Sequence, residues 1–204
     1  MILASQRGIP DYVRAAERGH WAPDVRNSLA DRSVLLVGYG GIGRAIQQRL
    51  APFEVDIVRV ARSARREGEL EVHGWDDLAT LLPGADIVVL SLPLDDSTYH
   101  LVDAAFLAQL RDGALLVNVG RGPVISTPDL LGAATSGRVR VALDVVEPEP
   151  LPEGHPLFAL PNVLIAPHVG GATSAMRPRM ARLLIEQVER MQRGQEPINV
   201  VLRT

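Results

Sequence analysis

From Ser33 onward, compact apolar runs alternate with stretches in which apolar positions recur every three or four residues. The apolar runs predict strands at residues 34–37, 55–60, 86–90, 114–119, 139–143 and 163–165, and the wider spacing predicts helices near 42–50, 75–82, 103–110 and 127–136. Strands that read as continuous apolar runs are buried on both faces, so the alternation predicts an α/β fold with a doubly wound parallel sheet and flanking helices. Two more helices lie outside the alternation. One spans about 10–18, with Pro10 where a helix can start and Gly19 where it can stop. The other spans about 173–193 and carries Met176, Met180, Leu183, Leu184, Val188 and Met191 at helical spacing, a stripe expected to pack. The proline-dense stretch 148–161 predicts one long loop, the kind of segment that is often functional.

The first junction carries the most chemistry. Gly38-Tyr39-Gly40-Gly41-Ile42-Gly43 follows an apolar strand and opens a helix, which is the context that the G-x-G-x-x-G pattern requires. Gly38 permits the tight turn, Gly40 lets a pyrophosphate approach the backbone, and Gly43 lets helix and strand pack closely. The helix N-terminus offers unpaired N–H groups and a positive dipole end to phosphates. With six strands this points to a Rossmann-type fold and a dinucleotide ligand. An NAD site places a carboxylate at the tip of the second strand; here the strand runs on as Ala61-Arg62-Ser63-Ala64-Arg65-Arg66, without an acid. Arg62 and Ser63 suit a 2′-phosphate, with Arg65 or Arg66 adding field, so NADP(H) is favoured over NAD(H). A merely solvated basic turn remains the competing reading.

Charge and composition narrow the partners. With 24 acids against 21 bases the net charge is −3, so no global positive field favours nucleic acid or an anionic membrane surface. No apolar run is long enough to span a bilayer, and residues 1–7 lack the pattern of a secretory signal. The absence of cysteine removes disulfides, thiolate nucleophiles and cysteine-ligated metals, and the histidines and acids lack paired metal-ligand spacing. A cytoplasmic location and no metal site are expected. His20, His73, His100 and His155 match no motif and are expected to be ordinary surface or core residues.

Three segments fall at strand C-terminal ends, where open α/β sheets place ligands: Asn118-Val119-Gly120-Arg121-Gly122, Leu143 through Pro150, and Ala166-Pro167-His168-Val169-Gly170-Gly171. An arginine, a carboxylate and a histidine on neighbouring tips suit reduction of a keto acid. Arginine grips the carboxylate or polarises the carbonyl, histidine supplies a proton, and a glutamate beside it tunes the histidine. Read singly, Arg121 is a surface arginine after a strand, Glu149 a loop carboxylate and His168 a histidine satisfied by backbone.

Together these stretches, with Leu90-Ser91-Leu92-Pro93-Leu94 and Pro161-Asn162-Val163, resemble the D-isomer-specific 2-hydroxyacid dehydrogenases, whose members include glyoxylate/hydroxypyruvate reductases and phosphoglycerate dehydrogenases. The resemblance implies hydride transfer between a nicotinamide and a small 2-hydroxy or 2-keto acid. It implies that Arg121 binds substrate, that His168 is the general acid/base, and that Glu149 pairs with the histidine. Glu149 is preferred to Glu147 because the family's acid directly precedes a proline five residues after the strand aspartate. By the same correspondence Gly38, Tyr39, Gly40, Gly41, Ile42, Gly43, Arg62 and Ser63 hold the nucleotide. Leu92, Pro93, Val119, Gly120, Arg121, Asp144, His168 and Gly170 line the cofactor cleft, with Asp144 toward the nicotinamide carboxamide. The family's acidic tip aligns with Ala61.

The implied division is an inter-lobe helix segment at 1–22, an NAD(P)-binding domain at 23–172, and a C-terminal helix and tail at 173–204. Family members carry a substrate-binding lobe ahead of the cofactor domain, and this stretch has no counterpart in the sequence. An isolated cofactor domain is expected to bind nucleotide with low or no turnover, since hydride transfer needs positioning and exclusion of water. Ile2, Leu3, Ile9 and Tyr12 are expected at exposed apolar edges, and a homodimer through the cofactor domain is expected. Two alternatives stay open: a non-catalytic dinucleotide-binding or dimerisation module resembling the family's corepressor branch, and, disfavoured by Arg121 and the Pro-His-Val-Gly segment, a methyltransferase.

Overall fold

The structure is a computed structural model that describes residues 1–198 and residue 200. Two compact units follow one another along the chain, Met1–Pro167 and His168–Thr204.

The first unit is built on β1 (Ser33–Val37), β2 (Asp56–Val60), the hairpin strands β3 (Arg65–Glu67) and β4 (Leu70–Val72), β5 (Ile87–Leu90), β6 (Leu115–Asn118), β7 (Arg140–Leu143) and β8 (Val163–Ile165). Its helices are α1 (Ile2–Gln6), α2 (Ile9–Glu17), α3 (Gly41–Leu50), α4 (Leu78–Leu81), α5 (Ala104–Gln109) and α6 (Thr127–Thr135). Six strands form one parallel sheet in the order β2-β1-β5-β6-β7-β8. The six predicted strands are these six, each shifted by no more than a residue at either end.

Side chains alternate between the two faces of a strand, and here both faces are buried. Leu35, Val88, Leu116 and Val141 lie across from one another in register and belong to one apolar cluster. Their neighbours Leu36, Val89, Val117 and Ala142 are likewise in register and belong to the second, on the opposite face. The alternating register thus explains why uninterrupted apolar runs were required. It also carries every strand's C-terminal end to the same edge of the sheet.

The sheet departs from a symmetric six-strand arrangement on one side. Only β2 lies beyond β1, and the chain after it folds into the antiparallel β3–β4 hairpin, which the sequence pattern did not reveal. The hairpin strands have three residues each and no apolar alternation, so periodicity has nothing to register. His73, just past β4, forms a parallel bridge to Val60, and its carbonyl accepts from the Ala61 N–H at 3.0 Å. That bond ties the hairpin to the tip of β2.

At the N-terminus α2 starts and stops near the predicted positions, with Gly19 at φ +67° just after its end. The expectation of exposed apolar residues there is corrected in part. Leu3 and Ile9 are exposed, whereas Ile2 and Tyr12 are half-buried, Ile2 packing against the cluster that contains Leu29 and Val34. An unforeseen first helix, α1, makes this possible, and Arg140 Nη2 donates to the Gln6 side-chain oxygen at 2.9 Å.

The second unit contains one regular element among its described residues, α7 (Met176–Gln192). The expectation that its apolar stripe packs is corrected: Met176, Met180, Leu183, Leu184, Val188 and Met191 are exposed and no residue of α7 is buried. A stripe is buried only against another element, and α7 has none within its own unit. The chain after it turns back, with Gln187 exchanging two hydrogen bonds with the Ile198 backbone and Arg190 Nε donating to Glu196 O at 2.8 Å. The rest of the expected returning tail, Asn199 and residues 201–204, lies outside the described residues.

The turn between β1 and α3 has the least room. A Cβ on Gly43 would stand 2.3 Å from the Gly38 carbonyl oxygen, a backbone atom that cannot swing aside. Gly43→Ala is therefore expected to destabilise the chain by about 1–2 kcal/mol net, the upper part of the usual overpacking cost of ~1–3 kcal/mol less the ~1 kcal/mol that alanine gains in a helix. Urea unfolding checks this; a variant as stable as the parent would refute it.

Candidate functional site

Strand order reverses between β1 and β5, and their C-terminal ends open the crevice where such sheets bind ligands. The glycine turn forms one wall. Gly38 has φ +102°, a conformation that glycine alone adopts without strain, and its carbonyl accepts from Ser91 Oγ at 2.7 Å, joining the tips of β1 and β5. Gly40 is the N-cap of α3, no side chain caps that helix, and its first turn has no acid. A Cβ on Gly40 or Gly41 would meet nothing within 4 Å. A cradle of exposed glycine backbone at an uncapped helix N-terminus fits a pyrophosphate, which needs close approach and several N–H donors. Ile42 is exposed beside it, while Tyr39 is buried with its hydroxyl donating to Gln47 Oε1 at 2.9 Å.

The hairpin fastens this turn from outside. Glu67 on β3 pairs with the Arg44 guanidinium on α3, one bond running from Nη2 to Oε1 at 2.7 Å, and also accepts from Arg65 Nε at 2.8 Å. Arg65 Nη2 in turn donates to the Tyr39 carbonyl at 3.0 Å, and the Arg44 guanidinium lies 4.8 Å from the centre of the Tyr39 ring. Bonds from Arg44 first, and then from Arg65, hold the Glu67 carboxyl down to about 2. Arg65 is therefore engaged in holding the turn and Arg66 lies exposed, so the tip of β2 presents Arg62 and Ser63. Arg62 donates to Asp95 Oδ2 at 2.6 Å and to Ser97 Oγ at 3.2 Å, and its guanidinium lies 5.5 Å from the Trp75 ring centre. Asp95 is itself held below the usual carboxylate range, first by its bond from Ser97 and then by Arg62. None of Asp95, Ser97, Trp75, Glu67 and Arg44 was foreseen. Their partners are distant in sequence and no motif marks them.

The remaining tips line the same edge. Leu92 is buried and Pro93 exposed after β5. After β6, the fully buried Asn118 accepts from Gly120 N through Oδ1 at 3.0 Å and donates through Nδ2 to Arg121 O at 2.9 Å, closing the turn that carries Val119, Gly120 and Arg121. The Arg121 side chain is exposed and donates to Gly120 O at 2.8 Å. Asp144 is buried at the tip of β7, where its N–H donates to Asn118 O at 2.9 Å. Beyond it the two candidate glutamates separate. Glu147 is committed to His100, which sits 2.7 Å from Oε2 and stacks on Tyr99, and its backbone carbonyl accepts from Thr127 Oγ1 at 2.6 Å. Glu149 lies two residues on in the exposed part of the loop. His100 is thus more than an ordinary histidine: it braces the loop that carries both acids.

His168 and Gly170 belong to the second unit, where His168 directly follows Pro167 along the chain and has φ +53°. Among the described residues no group of three or more His, Cys, Asp or Glu is placed to hold a metal, and no helix is long and apolar enough to cross a membrane.

The Glu67 carboxyl, depressed from about 4.5 to about 2, favours the folded state above its ordinary pKa. That contribution is lost as pH falls through the window between those values. Glu67→Gln is expected to flatten the acid loss of stability between pH 4.5 and 2 and to lower stability above that window. Parallel pH curves for parent and variant would refute the assignment.

The chain is similar to known proteins over nearly all of its length. The model for the NAD-binding domain of D-isomer-specific 2-hydroxyacid dehydrogenases matches residues 1–170. A glyoxylate/hydroxypyruvate reductase B from Escherichia fergusonii is 37% identical over 196 residues, covering 92% of this chain and 60% of that protein. A D-isomer-specific 2-hydroxyacid dehydrogenase from Xanthobacter autotrophicus, solved with NADPH and MES, superposes with a TM-score of 0.83 at 35% identity over 98% of this chain and 83% of that one. An NADPH-dependent glyoxylate/hydroxypyruvate reductase from Sinorhizobium meliloti, solved with NADP and sulfate, gives 0.84 at 28% identity over 98% and 65%. The chain spans about 60% of the length of most curated relatives it matches. With its glycine turn, its parallel sheet and a family match over residues 1–170, the chain belongs to the D-isomer-specific 2-hydroxyacid dehydrogenases.

Proposed function

We propose that this chain provides an NADP(H)-preferring dinucleotide site for oxidoreduction of a small 2-hydroxy or 2-keto acid, with NAD(H) bound less well. The observation that carries the reading is the uncapped N-terminus of α3, with open space over Gly40 and Gly41 at the reversal of strand order. Gly38, Tyr39, Gly40, Gly41, Ile42 and Gly43 hold the pyrophosphate by backbone donors and the helix dipole. Arg62 and Ser63 take the 2′-phosphate. In support, the tip carries no acid of its own, Arg62 is 62% exposed, and two solved relatives carry NADPH or NADP.

The nicotinamide, when bound, supplies the hydride. Leu92, Pro93, Val119 and Gly120 would line the cleft that holds it, and Asp144 would accept from its carboxamide. Asn118 fixes the turn from which Arg121 reaches the substrate, as its bonds to both neighbours support. Arg121 orients the substrate carboxylate or carbonyl, His168 gives the proton to the carbonyl oxygen, and Glu149 is the carboxylate that tunes that histidine. Glu149 is taken over Glu147 because it directly precedes Pro150 five residues after Asp144, the position that the family resemblance implies. The substrate class follows the names of the relatives, glyoxylate/hydroxypyruvate reductases. A cytoplasmic location and a homodimer paired through the cofactor domain complete the reading, and the exposed apolar Leu3, Ile9 and Trp21, the last 90% exposed, support the pairing.

Calorimetric titration with NADPH and NADH tests it. Saturable binding is expected for both, tighter for NADPH, and Arg62→Ala is expected to reduce that preference about tenfold, the equivalent of one charge-assisted contact of ~1.4 kcal/mol. Equal affinity for the two nucleotides, or a preference untouched by the substitution, would overturn the NADP assignment. Failure of both to bind would overturn the site.

A further inference from the structure

The opposite edge of the sheet carries a feature that the proposed chemistry does not use. Arg32 precedes β1, Asp86 precedes β5, Arg111 precedes β6 and Arg140 opens β7, so four adjacent strands bring three guanidinium groups and one carboxylate to their N-terminal ends. Asp86 accepts from Arg111 Nη1 at 2.8 Å and Arg32 Nη1 at 3.5 Å through the same oxygen, while its other oxygen accepts from the Ser33 N–H at 3.0 Å. These groups line a cavity of about 200 Å³ together with Gln6 and Asn27. Asp112 stands at its rim, 86% exposed, and pairs with Arg138 at 3.6 Å.

The charges do not balance. Asp112 offsets Arg138 and Asp86 offsets one of Arg32, Arg111 and Arg140, which leaves two positive charges around one cavity. Arg140 is the most confined of them. It donates to Gly113 O at 3.2 Å, Ser5 O at 3.4 Å and Gln6 Oε1 at 2.9 Å, all neutral acceptors. Burial first, and then repulsion from Arg32, pull its pKa below the ordinary arginine value, with Asp86 opposing them. Like charges gathered in a partly desolvated pocket are unfavourable unless an anion joins them, and guanidinium forks match the oxygens of a phosphoryl group.

We propose that the cavity formed by Arg32, Arg111 and Arg140 at the N-terminal edge of the sheet binds a multivalent oxyanion of phosphate size, either free phosphate or the phosphoryl group of a small metabolite. The site is separate from the glycine turn, which lies at the C-terminal edge of the same strands.

Calorimetry and thermal unfolding of the full chain with inorganic phosphate, at ionic strength held constant with chloride, test the proposal. A saturable heat and a saturable rise in Tm are expected, because a ligand of the folded state alone stabilises it. Arg111→Ala, and Arg111→Gln as the variant that retains much of the stem, are each expected to weaken phosphate about tenfold while leaving NADPH affinity unchanged. Glycerol 3-phosphate separates the two sources: tighter binding than phosphate points to an organic phosphate, and equal or weaker binding to the free ion. No saturable response overturns the proposal. So does phosphate binding that survives both substitutions, which would place the ion at the glycine turn or in the general ionic atmosphere.

Discussion

The fold is organised around one close approach of backbone to backbone. The first turn of α3 passes so near the end of β1 that the position of a Gly43 Cβ lies 2.3 Å from the Gly38 carbonyl. Gly38 itself turns at φ +102°, and its carbonyl is held by Ser91 from the neighbouring strand. This compaction aims the helix N-terminus into the crevice where strand order reverses. A side chain at Gly43 would push the helix away and take its donors with it. Packing and the proposed ligand recognition therefore depend on the same two glycines.

Around that turn the polar contacts act as fasteners more than as sources of stability. Exposed ion pairs contribute little by themselves. Glu67, however, engages two arginines at once, and one of these also holds the Tyr39 carbonyl, so the hairpin restrains the glycine turn. Asp95 and Ser97 restrain Arg62 in the same way. At the other wall Asn118 satisfies its buried amide on Gly120 and Arg121, and His100 braces the loop after β7 through Glu147. Preorganisation of this kind lowers the cost of ordering loops when a ligand arrives.

The strands and most helices were legible because burial on two faces imposes long apolar runs and because helices repeat at a fixed spacing. The glycine turn was legible because its geometry tolerates so few residues. The hairpin was not, since Arg65–Glu67 and Leu70–Val72 are too short and too polar to show a period. Nor were the fasteners: Arg62 and Asp95 are 33 positions apart, and Arg44 and Glu67 are 23. The stripe on α7 misled because amphipathicity records that a face is apolar and says nothing of what covers it. Likewise the three arginines within 62–66 look alike in sequence, whereas Arg65 is bonded to a carbonyl and a carboxylate. The basic cavity at the far edge drew on Arg32, Arg111 and Arg140, residues that come together only once the strands are in order.

In the proposed function the turn at the reversal of strand order receives a dinucleotide pyrophosphate on its backbone. Amide hydrogen exchange, followed residue by residue with and without saturating NADPH, tests it directly. Exchange is expected to slow at Gly40, Gly41, Ile42 and Gly43, the donors at the head of α3, while the α7 amides are unchanged. NADPH binding that leaves those four amides exchanging at their original rates would contradict it.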